Sequence, residues 1–168
     1  RLADRARGDP RVIAVAQDIV RHVPERRPDL EAAAILAFIR QHTRYTNDPW
    51  DQQHGGKEMV KEPGIILDEI RQTGVACTDC DDQVVLGLAL LGAIGIPSEP
   101  VVAQMPGDDT YSHVFIRFQS DGGQWETFDP IVRNTGVGWM PPTMVRAGTL
   151  AGGTRLRSLP LFQVRGGR

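Results

Sequence analysis

The chain has only two cysteines among 168 residues. That is too few for a disulfide-stapled secreted scaffold, and a chain of this length can bury a core without staples. No apolar run approaches the roughly 18 residues that would suggest a membrane span. Lysine is scarce: 17 of the 19 basic residues are Arg, which fits a GC-rich bacterial or phage source. The net charge of −2 gives no whole-chain reason to expect nucleic acid. The sequence starts with Arg and shows no signal peptide, so the compartment, cytoplasmic or exported, stays open. What is present is ordinary: 40% hydrophobic and 24% charged residues describe a globular chain rather than disorder.

The average charge hides an asymmetry. From Pro130 to Arg168 there are six Arg and no Lys, Asp or Glu. We therefore expect an acidic body over residues 1–131 and a basic, Gly/Pro-rich arm over residues 132–168. The arm reads as weakly regular, with Pro141-Pro142 and Gly152-Gly153 as breakers. It would wrap back on its own domain or dock a protein partner. It lacks the dense basic cluster with interleaved aromatics that suits nucleic acid.

The front half has helical spacing. Asp9-Pro10 is an N-cap followed by proline at the first helical position, and Val12 to Val23 recur on one face before Pro24. A second helix starts near Pro28-Asp29 and buries Leu30, Ala34, Ile35, Phe38 and Ile39. It ends before Tyr45 and a turn at Asn47-Asp48-Pro49. Residues 50–62 read as polar loop. A short helix follows from Pro63 to Arg71, with Ile66 and Ile70 inward and Gly74 closing it.

The strongest local signal is the stretch from Val84 to Ile94, apolar on all sides, which predicts a buried helix ending at Gly95. Thr78 or Asp79 caps its start. Then come a strand over Glu99–Gln104 and a hairpin. Val114, Ile116 and Phe118 share one face, and His113, Phe115 and Arg117 share the other. A three-residue turn, Ser120-Asp121-Gly122, would set Gln119 against Gly123. That register places His113 directly opposite Asp129, with their side chains on the same face.

A His–Asp pair needs a nucleophile, and Cys80 stands where the buried helix begins. The helix N-terminus and a nearby imidazolium both lower a thiol pKa. Cys80 would then be the thiolate, His113 its ion-pair partner and proton donor, and Asp129 the group that orients the ring. The Cys80 backbone N–H would be one oxyanion donor. Candidates for the second are Gln72, Gln53 and Trp50. His54 could line the site entrance.

Together these segments resemble the transglutaminase-like superfamily of cysteine enzymes. The resemblance rests on Asp79-Cys80-Asp81-Asp82, the apolar helix, Leu91-Gly92-Ala93-Ile94-Gly95-Ile96-Pro97, Ser112-His113-Val114, and Trp125-Glu126-Thr127-Phe128-Asp129-Pro130, in that order. The helix ending in Arg44-Tyr45 adds to it. The resemblance implies a papain-like α+β core: a central helix bearing Cys80, packed on an antiparallel sheet bearing His113 and Asp129. It departs from the family at Thr78, where Gly is usual, and at Cys77, an extra thiol that would either pack or form a reversible disulfide with Cys80. A sub-group it resembles, bacterial proteinases that release surface adhesins, binds calcium through acidic residues flanking the Cys. That implies Asp79 and Asp81 as calcium ligands, the alternative being helix capping. No cofactor is otherwise required.

The expected activity is a cysteine hydrolase, a protease or amidase acting on a protein or peptide through a thioester. The alternatives are a crosslinking transamidase, a phage or prophage assembly protein, and a catalytically silent interaction module. A zinc site built from Cys77, Cys80, His113 and Asp129 is a further alternative, weak because a single Cys-x-x-Cys carries little.

Overall fold

The computed structural model describes residues 1–46, 60–151 and 155–159. The expected turn at Asn47-Asp48-Pro49, most of the polar loop, and Trp50, Gln53, His54, Gly152 and Gly153 lie outside the described residues. The architecture is α+β. Helices α1 (Leu2–Ala6), α2 (Pro10–Val20), α3 (Pro28–His42) and α4 (Pro63–Thr73) pack around a central helix, α5 (Cys80–Ala93). Strand β1 (Thr43–Tyr45) follows α3, and β2 (Ala76–Thr78) follows α4. Strands β3 (Ser98–Gln104), β4 (His113–Gln119), β5 (Trp125–Phe128), β6 (Arg146–Ala151) and β7 (Arg155–Leu159) complete the chain.

The helix starts and stops follow local chemistry. Asp9 caps α2, its carboxylate accepting from the Arg11 N–H at 2.9 Å, with Pro10 at the first position. The helix ends at Val20, one turn before Val23, and the chain turns with Arg26 at φ 57°. Gly74, at φ 82°, closes α4 in the left-handed conformation that suits glycine. Leu30, expected inside, is 42% exposed, because the first turn of α3 projects past the core that Ile35, Leu36 and Ile39 enter.

Helix α5 is the hub. Val84, Leu86, Ala89, Leu90 and Leu91 are buried, as an all-round apolar helix requires. Its close seat on the sheet depends on Gly87. A Cβ there would stand 2.5 Å from Ile116 Cδ1 and 3.2 Å from Ile39 Cδ1. The inner face of the sheet supplies Val114, Ile116, Phe118 and Phe128 to this core. Fully burying one such aromatic is worth about 2–3 kcal/mol.

The five-stranded sheet has the order β5-β4-β3-β6-β7 with every pair antiparallel. The segment expected to be weakly regular thus supplies two strands. Residues Arg146 to Thr149 pair with Gln104 to Val101. The outer face gains its own apolar cluster of Val101, Ala103, Phe115, Met144, Ala147 and Leu159. This addition was hidden because Arg155, Arg157 and the glycines around them break the apolar alternation that marks a strand.

A second ladder was also not foreseen. Strands β1 and β2 run parallel, with Tyr45 beside Thr78. Three residues each is too short for a periodic signal. The ladder still matters, since it sets the end of α3 beside the start of α5.

Candidate active site

Cys80 occupies the first position of α5. Asp79 is the N-cap, its carboxylate accepting from the Asp82 N–H at 3.0 Å. Thr78, where the resembled family has Gly, is buried, and its hydroxyl accepts from the buried Gln83 amide at 3.2 Å. Asp82 is buried as well and accepts from the Lys61 N–H at 2.6 Å. Lys61 Nζ donates to the Cys77 carbonyl at 2.7 Å.

His113 begins β4, and its Nε2 donates to Asp129 Oδ2 at 2.5 Å. The Asp129 carboxylate is fully buried, and the His113 side chain is 18% exposed. The other carboxylate oxygen accepts from the Ile131 and Val132 N–H groups at 2.8 and 3.2 Å. A buried carboxylate held by three donors is satisfied and fixed in direction. With Nε2 engaged, Nδ1 is the ring nitrogen left to act as a base.

The hairpin register differs from expectation in an instructive way. Strand β4 pairs with β5 through Gln119↔Trp125 and Ile116↔Phe128. Ser120 N–H donates to the Gln124 carbonyl at 2.8 Å, so the three-residue turn is Asp121-Gly122-Gly123. Gly123, not Gly122, takes the left-handed conformation, with φ 72°. The turn has moved by one residue and the pairing by two. Because side chains alternate with a period of two, the face is unchanged. Asp129 is therefore offset from His113 rather than directly opposite. It reaches the ring from just beyond the last ladder pair.

Cys80 and His113 line one cavity of about 860 Å³, together with Asp81, Val84, Val85, Leu88, Val102, Val114, Tyr111, Ser112 and Trp125. That volume suits a ligand or a peptide segment. The Cys80 Sγ–H donates to Asp81 Oδ1 at 3.6 Å. Burial first, then the charges of Asp81 and Asp79, push the thiol up to about 12. The expected lowering by the helix end is thus outweighed, with the carboxylates on either side of the thiol opposing the thiolate. Burial, and after it the charges of Cys80, Asp79 and Asp81, raise the pKa of Tyr45, a half-exposed phenol.

Gln72 is exposed on α4 and does not line the cavity. Cys77 is an exposed free thiol rather than a packed one, and Cys80 is free as well. Among the described residues no three His, Cys, Asp or Glu side chains come together to hold one metal ion. The four residues of the zinc alternative are therefore not gathered. For calcium, Asp79 and Asp81 alone offer far fewer oxygens than the six to eight that ion takes. Sequence reasoning missed the β1–β2 ladder and the tethering of Lys61 to Asp82. Neither carries a periodic or motif signal.

Comparison with solved structures identifies the fold. A suspected protease from Parabacteroides distasonis superposes with a TM-score of 0.62 at 14% identity, over 94% of this chain and 29% of that one. A suspected cysteine protease from Cytophaga hutchinsonii gives 0.52 at 18% identity, over 87% of this chain and 42% of that one. The Rad4–Rad23 assembly crosslinked to an undamaged DNA gives 0.53 at 10% identity, over 94% and 44%. The chain thus spans less than half the length of each. The fold is transglutaminase-like, with helix α5 packed against the antiparallel sheet. No family model and no curated protein matches the sequence.

Proposed function

We propose that this chain is a cysteine hydrolase that cleaves an amide or peptide bond through a thioester. The observation that carries the proposal is the buried His113–Asp129 hydrogen bond, 2.5 Å long, at the cavity that Cys80 also lines. The fold by itself does not, since one fold hosts unrelated functions and a DNA-bound assembly shares this one.

The chemistry follows from the groups present. Because the thiol is held protonated, His113 Nδ1 takes the Sγ proton as sulfur attacks the carbonyl carbon. Charge developing on the carbonyl oxygen meets the backbone N–H of Cys80, one of the helix-start donors that no intrahelical carbonyl engages. The imidazolium returns its proton to the leaving nitrogen as the C–N bond breaks. Water, deprotonated by the same ring, then hydrolyses the thioester. Asp129 keeps the ring in the tautomer that leaves Nδ1 basic. An amine in place of water would give transamidation. The substrate is a protein or peptide segment seated along the cavity wall of Val84, Val85 and Leu88.

Thiol labelling over a pH series tests this reading. In a Cys77→Ser background, iodoacetamide should label Cys80 with a rate limb below pH 8 that His113→Ala abolishes. If the labelling profile is the same with and without His113, Cys80 is not part of a catalytic pair.

A further inference from the structure

Asp129 lies outside the β4–β5 ladder, so the sheet does not hold it. The segment of residues 129–135 that carries it has no regular secondary structure. A carboxylate that must face one ring nitrogen needs its backbone fixed by something else. The fixing comes from helix α3, about 90 positions earlier in the chain.

Arg40, near the C-terminal end of α3, is half-buried with its guanidinium inside the curve of this segment. Its Nη2 donates to the Asp129 carbonyl at 2.7 Å, to the Val132 carbonyl at 2.5 Å and to the Thr135 hydroxyl at 2.7 Å. Its Nη1 donates to the Thr135 carbonyl at 2.5 Å. The Thr135 hydroxyl in turn donates to the Val132 carbonyl at 2.7 Å. One side chain thus satisfies three backbone carbonyls of the segment whose N–H groups hold the Asp129 carboxylate. A planar fork with five donors can do this, and an ammonium cannot. Arg133 makes the reverse connection. Its guanidinium donates to the carbonyls of Arg40 and Thr43 at 3.1 and 3.4 Å.

We infer that Arg40 is the positioning residue of the site: it fixes the Asp129–Thr135 segment so that the carboxylate meets His113. It touches neither the thiol nor the ring and acts through Asp129. The charges agree with this geometry. Burial lowers the pKa of the Arg40 guanidinium, and the nearby charge of Asp129 works in the opposite direction. The inference rests on the hydrolase reading only for its consequence in turnover. The geometric part stands without it.

The test uses the full chain and two separate readouts. The first is the downfield proton resonance of the His113 Nε2–H, assigned by its loss in Asp129→Asn. In Arg40→Ala that resonance should broaden or vanish while circular dichroism and the rest of the spectrum stay native. Arg40→Lys should restore it only in part. The second is the His113-dependent limb of Cys80 labelling, which should fall at least tenfold in Arg40→Ala. Should Arg40→Ala fail to fold, Thr135→Val removes one acceptor and the hydroxyl bridge, and it should weaken the same resonance. A sharp, unshifted resonance in a folded Arg40 or Thr135 variant overturns the inference. If that resonance responds to Arg40 while wild-type Cys80 shows no His113-dependent limb, the hydrolase reading fails and the positioning role survives.

Discussion

Replacing Asp81 by Asn should make Cys80 a stronger acid. The Asp81 carboxylate lies 3.6 Å from Sγ. At that separation two unit charges repel by about 1 kcal/mol in water and about 5 kcal/mol at an effective dielectric constant of 20. Each pKa unit is worth about 1.4 kcal/mol, so the thiol should titrate about one to three units below its wild-type value of about 12. The N-cap is Asp79, so the helix start is kept. The assay is thiolate absorbance against pH in a Cys77→Ser background. Labelling rates should rise less steeply than the thiolate fraction, because a more acidic thiol is intrinsically a weaker nucleophile. With a Brønsted slope of about 0.4–0.5, a one-unit fall should yield about a threefold faster reaction at fixed neutral pH. A Cys80 pKa that stays put or rises in Asp81→Asn refutes the claim that the flanking carboxylates hold the thiol protonated.

Other outcomes follow from the same structure. If Asp79 and Asp81 bind calcium, millimolar calcium should lower the Cys80 pKa in the wild type and not in Asp79→Asn/Asp81→Asn. Equal values in calcium and in EDTA would leave these side chains as helix-start groups alone. Burial raises the Asp82 pKa from 3.8 to about 6, so its folded state favours the proton. That contribution is fully present below the unfolded pKa and is lost as pH rises through about 6. Asp82→Asn should therefore remove a stability loss of at most about 3 kcal/mol between pH 4 and 7, read from urea midpoints across that range. Gly87→Val should cost about 3 kcal/mol, since Ile116 and Ile39 leave no room for a side chain, while Gly87→Ala should cost about 1 kcal/mol. Urea unfolding of both variants gives the comparison, and a neutral Gly87→Val would mean that α5 sits farther from the sheet.

The parts of the fold that were legible in the sequence are those with long apolar patterns or strong terminators. Helix α5 declared itself by eleven consecutive apolar or small residues, and α2 by Asp9-Pro10. Strands β6 and β7 were not legible, because arginines and glycines interrupt them and β3, on which β6 pairs, lies over 40 positions earlier. At the site, Cys80, His113 and Asp129 each had a local signature: a helix start, a strand start and a strand end. Arg40 had none. Its role exists only because α3 passes beside a segment distant in sequence, and one Arg on a helix otherwise reads as a solvated charge.

The hairpin explains why an inexact register still led to the right pair. A turn misplaced by one residue moves both strands, so the pairing slips by two and every side chain keeps its face. A change from a three- to a two-residue turn would slip the pairing by one, turning Asp129 into the core and Phe128 out of it. Deleting Gly122 should thus do more than shorten a loop. It would force a choice between burying Asp129 on the wrong face and breaking the ladder at Gln119↔Trp125. The inner-face core, lined by apolar side chains such as Ile116 and Phe118, offers a carboxylate no partner, and burying one unpaired costs several kcal/mol. The ladder should yield first. The deletion would then keep the His113–Asp129 resonance while exposing the amides of Ser120 and Gly123 to hydrogen exchange. Loss of that resonance with the turn amides still protected would show that the hairpin end, rather than the inner-face core, sets where Asp129 points.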